Sequence, residues 1–230
     1  MPAWTCASSS ESAEPGLNPP RKSLAQRVLL HPAAWPLALL GCAAPLAWLL
    51  AGALGDRLGP NPAEALIRGT GDWTLRMLWL TLAITPLRQA TGWHALARLR
   101  RLLGLSTFFH AVAHFLCFAW LDMGLDPASI ARDVVRRPFI LVGALALLLL
   151  VPLAATSFNA AIRWLGAARW QALHRMVHAI AVLALLHFLW MRAAKNDQAE
   201  VAVYAALLAL LLGARLWRHR RNTSARSTLP

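Results

Sequence analysis

Between Trp170 and Arg192 the chain reads WQALHRMVHAIAVLALLHFLWMR, an apolar run long enough to cross a bilayer that nevertheless contains His174, His178 and His187. Crossing the ~30 Å hydrocarbon layer takes about 20 residues at about 1.5 Å each, and lipid offers an imidazole no water. Such rings must therefore face protein, a cavity or a bound group. One other stretch is built this way: Leu102–Leu121, LLGLSTFFHAVAHFLCFAWL, carries His110 and His114, so five of the eight histidines fall inside two candidate spans. Two such helices side by side can grip a flat ligand, each giving one neutral ring nitrogen to an iron. Haem is the leading expectation. It must be b-type, because Cys6, Cys42 and Cys117 form no C-x-x-C-H for covalent attachment.

Composition agrees with a membrane protein: 58% of the 230 residues are hydrophobic and 14% charged, too apolar for an ordinary soluble domain. The formal charge of +13 does not point to nucleic acid, since the basic residues lie mostly between apolar runs, as topology determinants do. Six spans are expected: Ala33–Leu54, Asp72–Leu87, Leu102–Leu121, Pro138–Ala155, Trp170–Arg192 and Val201–Trp217. Gly55–Gly71 reads as a Gly/Pro/Asn-rich loop, and Pro86 as the end of the second span. Arg76 interrupts that span and is expected to pair with Asp72 or snorkel. The fold class is all-α, an integral membrane bundle of six transmembrane helices. Residues 1–32 form a disordered cytoplasmic segment, 33–217 the membrane domain and 218–230 a basic cytoplasmic tail. Lys and Arg alternate between heavy and light loops, which places both termini in the cytoplasm. Asp197 and Glu200 oppose the basic residues of the loop after the fifth span, and the loop after the third, with three arginines on the outer side, is the exception.

On this topology the third and fifth spans run in the same direction, with His114 and His187 in the outer half and His174 near the cytoplasmic end. His174 precedes His187 by 13 residues, about 19 Å along a helix axis, a separation that suits two stacked haems. Those 13 steps leave about 140° of residual rotation, which a bend, a π-bulge or helix tilt must absorb. The pairs His110/His114 and His174/His178 each share a helical stripe. They leave open a different function, a four-histidine zinc or copper site in a metal-binding or metal-transport protein.

Several motifs carry a family resemblance: LTLAITPLR (Leu80–Arg88), RRLLGL (Arg100–Leu105) leading to His114, RPFILVG (Arg137–Gly143), LAATS (Leu153–Ser157), RWQALHRMVH (Arg169–His178) and LHFLW (Leu186–Trp190). In this order, over roughly Gly69–Trp217, they resemble the MsrQ family of haem-binding membrane subunits, within the ferric-reductase-like transmembrane group. The resemblance implies an electron-transfer subunit carrying one or two b haems in the bacterial inner membrane, with quinol as donor and FMN as a further cofactor. It implies a periplasmic molybdopterin-containing methionine sulfoxide reductase as the partner that performs the substrate chemistry in repairing oxidised proteins. His114, His174 and His187 fall on the family's haem-associated histidines. His110 and His178 are expected to be incidental. Where the wider group has a second histidine on the third span this chain has Arg100, expected to meet a haem propionate or to orient the group. No Gly-rich nucleotide fingerprint follows a strand, so the chain is not expected to draw on NAD(P)H by itself.

The alternation of basic loops makes a direct prediction. A reporter fused after Arg192 should report the periplasm and one fused after Arg221 the cytoplasm; the reverse pair of signals would put His174 on the outer side.

Overall fold

A computed structural model describes residues 24–193 and 198–227. Among them every regular element is helical: α1 (Leu24–Leu30), α2 (Ala34–Leu54), α3 (Pro62–Thr91), α4 (Ala97–Cys117), α5 (Pro127–Arg136), α6 (Pro138–Ala155), α7 (Asn159–Leu165), α8 (Ala167–His174), α9 (Val177–Ala193) and α10 (Ala199–Ser227). A 3-10 turn, His94–Leu96, leads into α4, and a π turn, Phe118–Asp122, ends it. Five stretches are both long and apolar enough to cross a membrane: 34–54, 94–122, 138–155, 167–193 and 199–217. The sixth long helix is α3. Its 30 residues reach about 45 Å, but Arg68, Asp72, Arg76 and Arg88 lower its hydropathy. Together these make an all-α membrane bundle.

The second span is longer than expected at both ends. Residues 62–71 are helix rather than loop, because Asn61-Pro62-Ala63-Glu64 is a start signal. The Asn61 side chain accepts from the Glu64 backbone N–H at 3.1 Å and donates to the Glu64 carboxylate at 3.2 Å, and Pro62 fills the first helical position. Pro86 does not stop the helix, which runs on to Thr91. Gly92 then takes a left-handed conformation (φ 70°) and returns its N–H to the Arg88 carbonyl.

Other expectations shift in the same way. The stretch from Asp122 to Arg137 contains α5, capped by Asp126, whose carboxylate accepts from Ala128 and Ser129 backbone N–H groups. The Ser129 hydroxyl and N–H hold that carboxyl below its usual range. Part of the expected N-terminal disorder is α1, whose Gln26 amide donates to the Gly92 carbonyl at 3.1 Å. Residues 1–23, 194–197, which include Asp197, and 228–230 lie outside the described residues. The fifth span is two helices, α8 and α9, broken at Arg175–Met176, and that break lies between His174 and His187.

Helices pack in two close pairs, α3 with α4 and α6 with α9, and α10 leans on α3 and α9. Trp79 donates its indole N–H to the Tyr204 carbonyl at 3.1 Å, and the Tyr204 ring meets Trp79 and Phe188 edge-on. Arg76 does not pair with Asp72. It donates to the Tyr204 hydroxyl at 3.4 Å and lies over the Trp73 ring, while Asp72 meets Arg192 at 3.6 Å. The core joins Leu75, Leu78, Ala111, Leu150, Ile180 and Ala181. Leu40, Trp48, Leu148 and Leu210 point outward, as side chains facing lipid do.

Candidate functional site

Two half-sites face each other at the end of the bundle where α3 and α6 begin. On one, His114 of α4 donates Nδ1–H to the Ile67 carbonyl of α3 at 2.9 Å. On the other, His187 of α9 does the same to the Phe139 carbonyl of α6 at 2.6 Å. In each case the acceptor lies four residues before a glycine. A Cβ on Gly71 would come within 3.0 Å of the His114 ring, and one on Gly143 within 2.9 Å of the His187 ring. The separation from carbonyl to histidine is nearly equal too, 47 and 48 residues. The two helix pairs thus build the same device twice: a carbonyl that fixes the ring and, one turn later, a missing side chain that makes room for it.

The chemical effect is on the nitrogen left over. A neutral imidazole with its proton on Nδ1 keeps a lone pair on Nε2; the hydrogen bonds of both rings among the described residues run through Nδ1, and both rings line one cavity. That cavity is about 280 Å³ and is walled by Leu75, Leu78, Ala111, Leu147, Leu150 and Ile180 among others. The ring centres are 6.2 Å apart with planes at 69°. Two imidazoles binding one metal from opposite sides stand about this far apart, given metal–nitrogen bonds of about 2.0 Å and about 1.1 Å from nitrogen to ring centre. A flat macrocycle with an axial metal fits this donor set. Hydrogen bonding of the far ring nitrogen is the usual support for a metal-binding histidine.

His174 stands elsewhere. It lines a second cavity, also about 280 Å³, at the opposite end of the bundle, together with Arg88, Arg100, Arg101, Trp170 and Arg215. Its Nε2 lies 3.0 Å from the Thr156 hydroxyl, and Trp170 stacks on its ring at 4.1 Å. The Thr156 hydroxyl proton is directed to the Pro152 carbonyl at 2.6 Å, so here Nε2 is the donor. Arg100 shares this cavity, as the sequence suggested. The four arginines have no ion pair with an acidic side chain among the described residues.

His110 and His178 do not join either donor set. His110 is buried, with Nδ1 on its own helix's Ser106 carbonyl at 2.8 Å and Nε2 enclosed without a partner. His178 donates Nδ1–H to the Arg175 carbonyl and accepts from Arg215 at 3.0 Å. A four-histidine metal cluster is not formed: among the described residues no three His, Cys, Asp or Glu side chains converge.

Comparison with known proteins gives the family. The family described as the ferric reductase like transmembrane component matches residues 70–186. A protein of Polaromonas naphthalenivorans named protein-methionine-sulfoxide reductase heme-binding subunit MsrQ is 61% identical over 194 residues, covering 84% of this chain and 89% of that protein. The chain belongs to the MsrQ family. Relatives of the same name in Ralstonia nicotianae, 50% identical over 88% of this chain and 90% of their own length, and in Xanthomonas campestris, 44% identical over 90% and 94%, extend the match. No solved structure matches. Within this MsrQ-family chain, the sequence singled out His114 and His187, which the structure brings together, but not Gly71, Gly143 and the two carbonyls that meet their rings. RPFILVG held both Phe139 and Gly143, and their spacing of four was the available signal.

Gly143→Ala should force the His187 ring or α6 to move and cost about 1–3 kcal/mol, read as a lowered unfolding midpoint in detergent. Gly213→Ala, where a Cβ meets nothing within 4 Å, should not lower it.

Proposed function

We propose that this chain is the haem-binding membrane subunit of a protein-methionine-sulfoxide reductase system, carrying electrons through the bilayer with a b haem between His114 and His187. The observation that carries this reading is the pair of rings 6.2 Å apart, each pinned through Nδ1 to a backbone carbonyl of a neighbouring helix. When bound, the haem supplies one-electron Fe(III)/Fe(II) chemistry. The chain's own residues do the rest. His114 and His187 would ligate the iron, Ile67 and Phe139 hold their tautomer, Gly71 and Gly143 admit the rings, and the apolar wall keeps water from the group.

The inner cavity is the place for a second haem in this reading, with His174 as its imidazole and Arg100 facing a propionate. For that, Nε2 of His174 gives up its contact with Thr156. The remaining parts of the proposal rest on the family: FMN as an additional cofactor, quinol as the donor, a periplasmic molybdopterin-containing catalytic subunit as the acceptor, and an inner membrane location with both termini in the cytoplasm. Quinol oxidation releases two electrons and two protons, and reduction of a methionine sulfoxide to methionine and water consumes two of each. The electrons cross the chain singly and the sulfoxide is reduced on the partner.

Reduced-minus-oxidised spectra with a pyridine haemochromogen assay test the reading. His114→Ala or His187→Ala should remove one low-spin signal, and His110→Ala should leave it nearly intact. Equal loss from His110→Ala would identify a different stripe of α4 as the ligand face. Arg100→His should raise low-spin haem per protein by supplying the inner site with a second imidazole. An unchanged stoichiometry would remove the support for an inner haem next to Arg100.

A further inference from the structure

Arg137 belongs to the loop that breaks the alternation of basic loops, and Arg68 and Arg192 lie at the same end of the bundle. Arg68, Arg137 and Arg192 all lie at the end expected to be poor in positive charge, and all three line the His114/His187 cavity together with Asp72 and Asp122. Topology gives no reason for them there. Their position relative to the two half-sites does. Arg68 follows Ile67, whose carbonyl holds His114, and Arg137 stands two residues before Phe139, whose carbonyl holds His187. Each half-site therefore carries a carbonyl, a glycine and an arginine.

The third arginine is spoken for. Arg192 meets Glu200 at 2.7 Å and Asp72 at 3.6 Å and lies over the Phe188 ring, so it ties α9 to α3 and α10. The other two each meet a carboxylate of their own segment. Arg68 meets Glu64 at 2.7 Å and Arg137 meets Asp133 at 2.9 Å, each one helical turn away and each through Nε. The Arg68 and Glu64 side chains are 31% and 42% exposed, and a pair of this kind contributes little; the Arg137 side chain is 56% exposed, while that of its partner Asp133 is 16% exposed. With Nε engaged, the two terminal amino groups of each guanidinium remain for another acceptor. Two permanent cations at one rim, on helices from opposite half-sites, suit a ligand that brings two carboxylates to that rim.

We propose that Arg68 and Arg137 hold the two propionates of the porphyrin bound between His114 and His187, fixing which edge of the macrocycle faces the outer surface. This rests on the haem reading above. A cation beside the propionate keeps it ionised and favours the reduced iron. The role is positioning and tuning rather than ligation, so its signature lies in the haem's potential and not in its axial spectrum.

The test is an equilibrium redox titration of the purified full chain between pH 6 and 9, with Arg68→Gln, Arg137→Gln, the two Lys variants and Arg163→Gln, which lies on α7 outside both cavities. The Gln variants should shift the midpoint to lower potential and acquire a pH dependence near neutrality, as a propionate without its cation begins to take up a proton on reduction. The Lys variants and Arg163→Gln should stay close to the parent chain. Gln variants that lose haem while the Lys variants keep it also support the proposal. It is overturned if the Gln variants keep the parent midpoint and pH slope, or if Lys fails to rescue what Gln loses. A parent chain without b haem would instead overturn the haem reading, and this proposal with it.

Discussion

The hydrogen bond from histidine Nδ1 to a carbonyl of the next helix is the contact on which the rest of the site depends. An imidazole in a bilayer must satisfy its N–H, and leaving such a group unpaired costs roughly 1–3 kcal/mol. A helix interior offers no spare donors, but each of its carbonyls has a second lone pair beyond the one used along the helix. Ile67 and Phe139 provide it for His114 and His187. The ring can reach that lone pair only if the helix surface is open one turn further on, which is where Gly71 and Gly143 stand. Tautomer, ring position and helix spacing are thus set by one arrangement, and the unused nitrogen is directed away from it.

The same contact separates His114 and His187 from His110 and His178. His110 and His178 also place Nδ1 on carbonyls, but these belong to Ser106 and Arg175, four and three residues away on their own segment. A local bond keeps the ring against its own helix. A bond across 47 or 48 residues commits it to the gap between helices. Sequence spacing alone treats His110 and His114 as equivalent members of one stripe; the partner of Nδ1 distinguishes them.

Much of this was legible in the sequence, and the parts that were not have physical reasons. Five apolar runs, two of them bearing histidines, follow from hydropathy and length, and the more charged α3 is the sixth long helix. The pairing of His114 with His187 follows from matching depth, and the rotation left over between His174 and His187 called for a distortion, found at Arg175–Met176. The start of α3 was missed because Gly69 and Gly71 resemble loop residues. In the bundle they are close-packing positions, one under Leu49 and one under His114, and the capping sequence at Asn61–Glu64 outweighed them. Pro86 misled for a related reason: a proline inside a membrane helix loses one hydrogen bond but need not end the helix. Ring-to-carbonyl contacts join segments far apart in the chain, and no local pattern announces them.

The two cavities bear on how charge could travel. Leu78, Thr107 and Leu150 line both, so a partition one side chain thick separates the outer site from the inner one. Its only polar member is neutralised: Thr107 is almost wholly buried, donates to the Leu103 carbonyl at 2.9 Å and lies 3.4 Å from the Thr81 hydroxyl. A wall of this kind is thin for an electron and thick for an ion, since it offers no site at which a charged species could rest. The arginines of the inner cavity have no ion pair among the described residues, while those at the outer one, Arg68, Arg137 and Arg192, each meet a carboxylate. On the proposed function this asymmetry, with two imidazoles on one side and His174 on the other, lets cofactors on either side of the partition differ in potential.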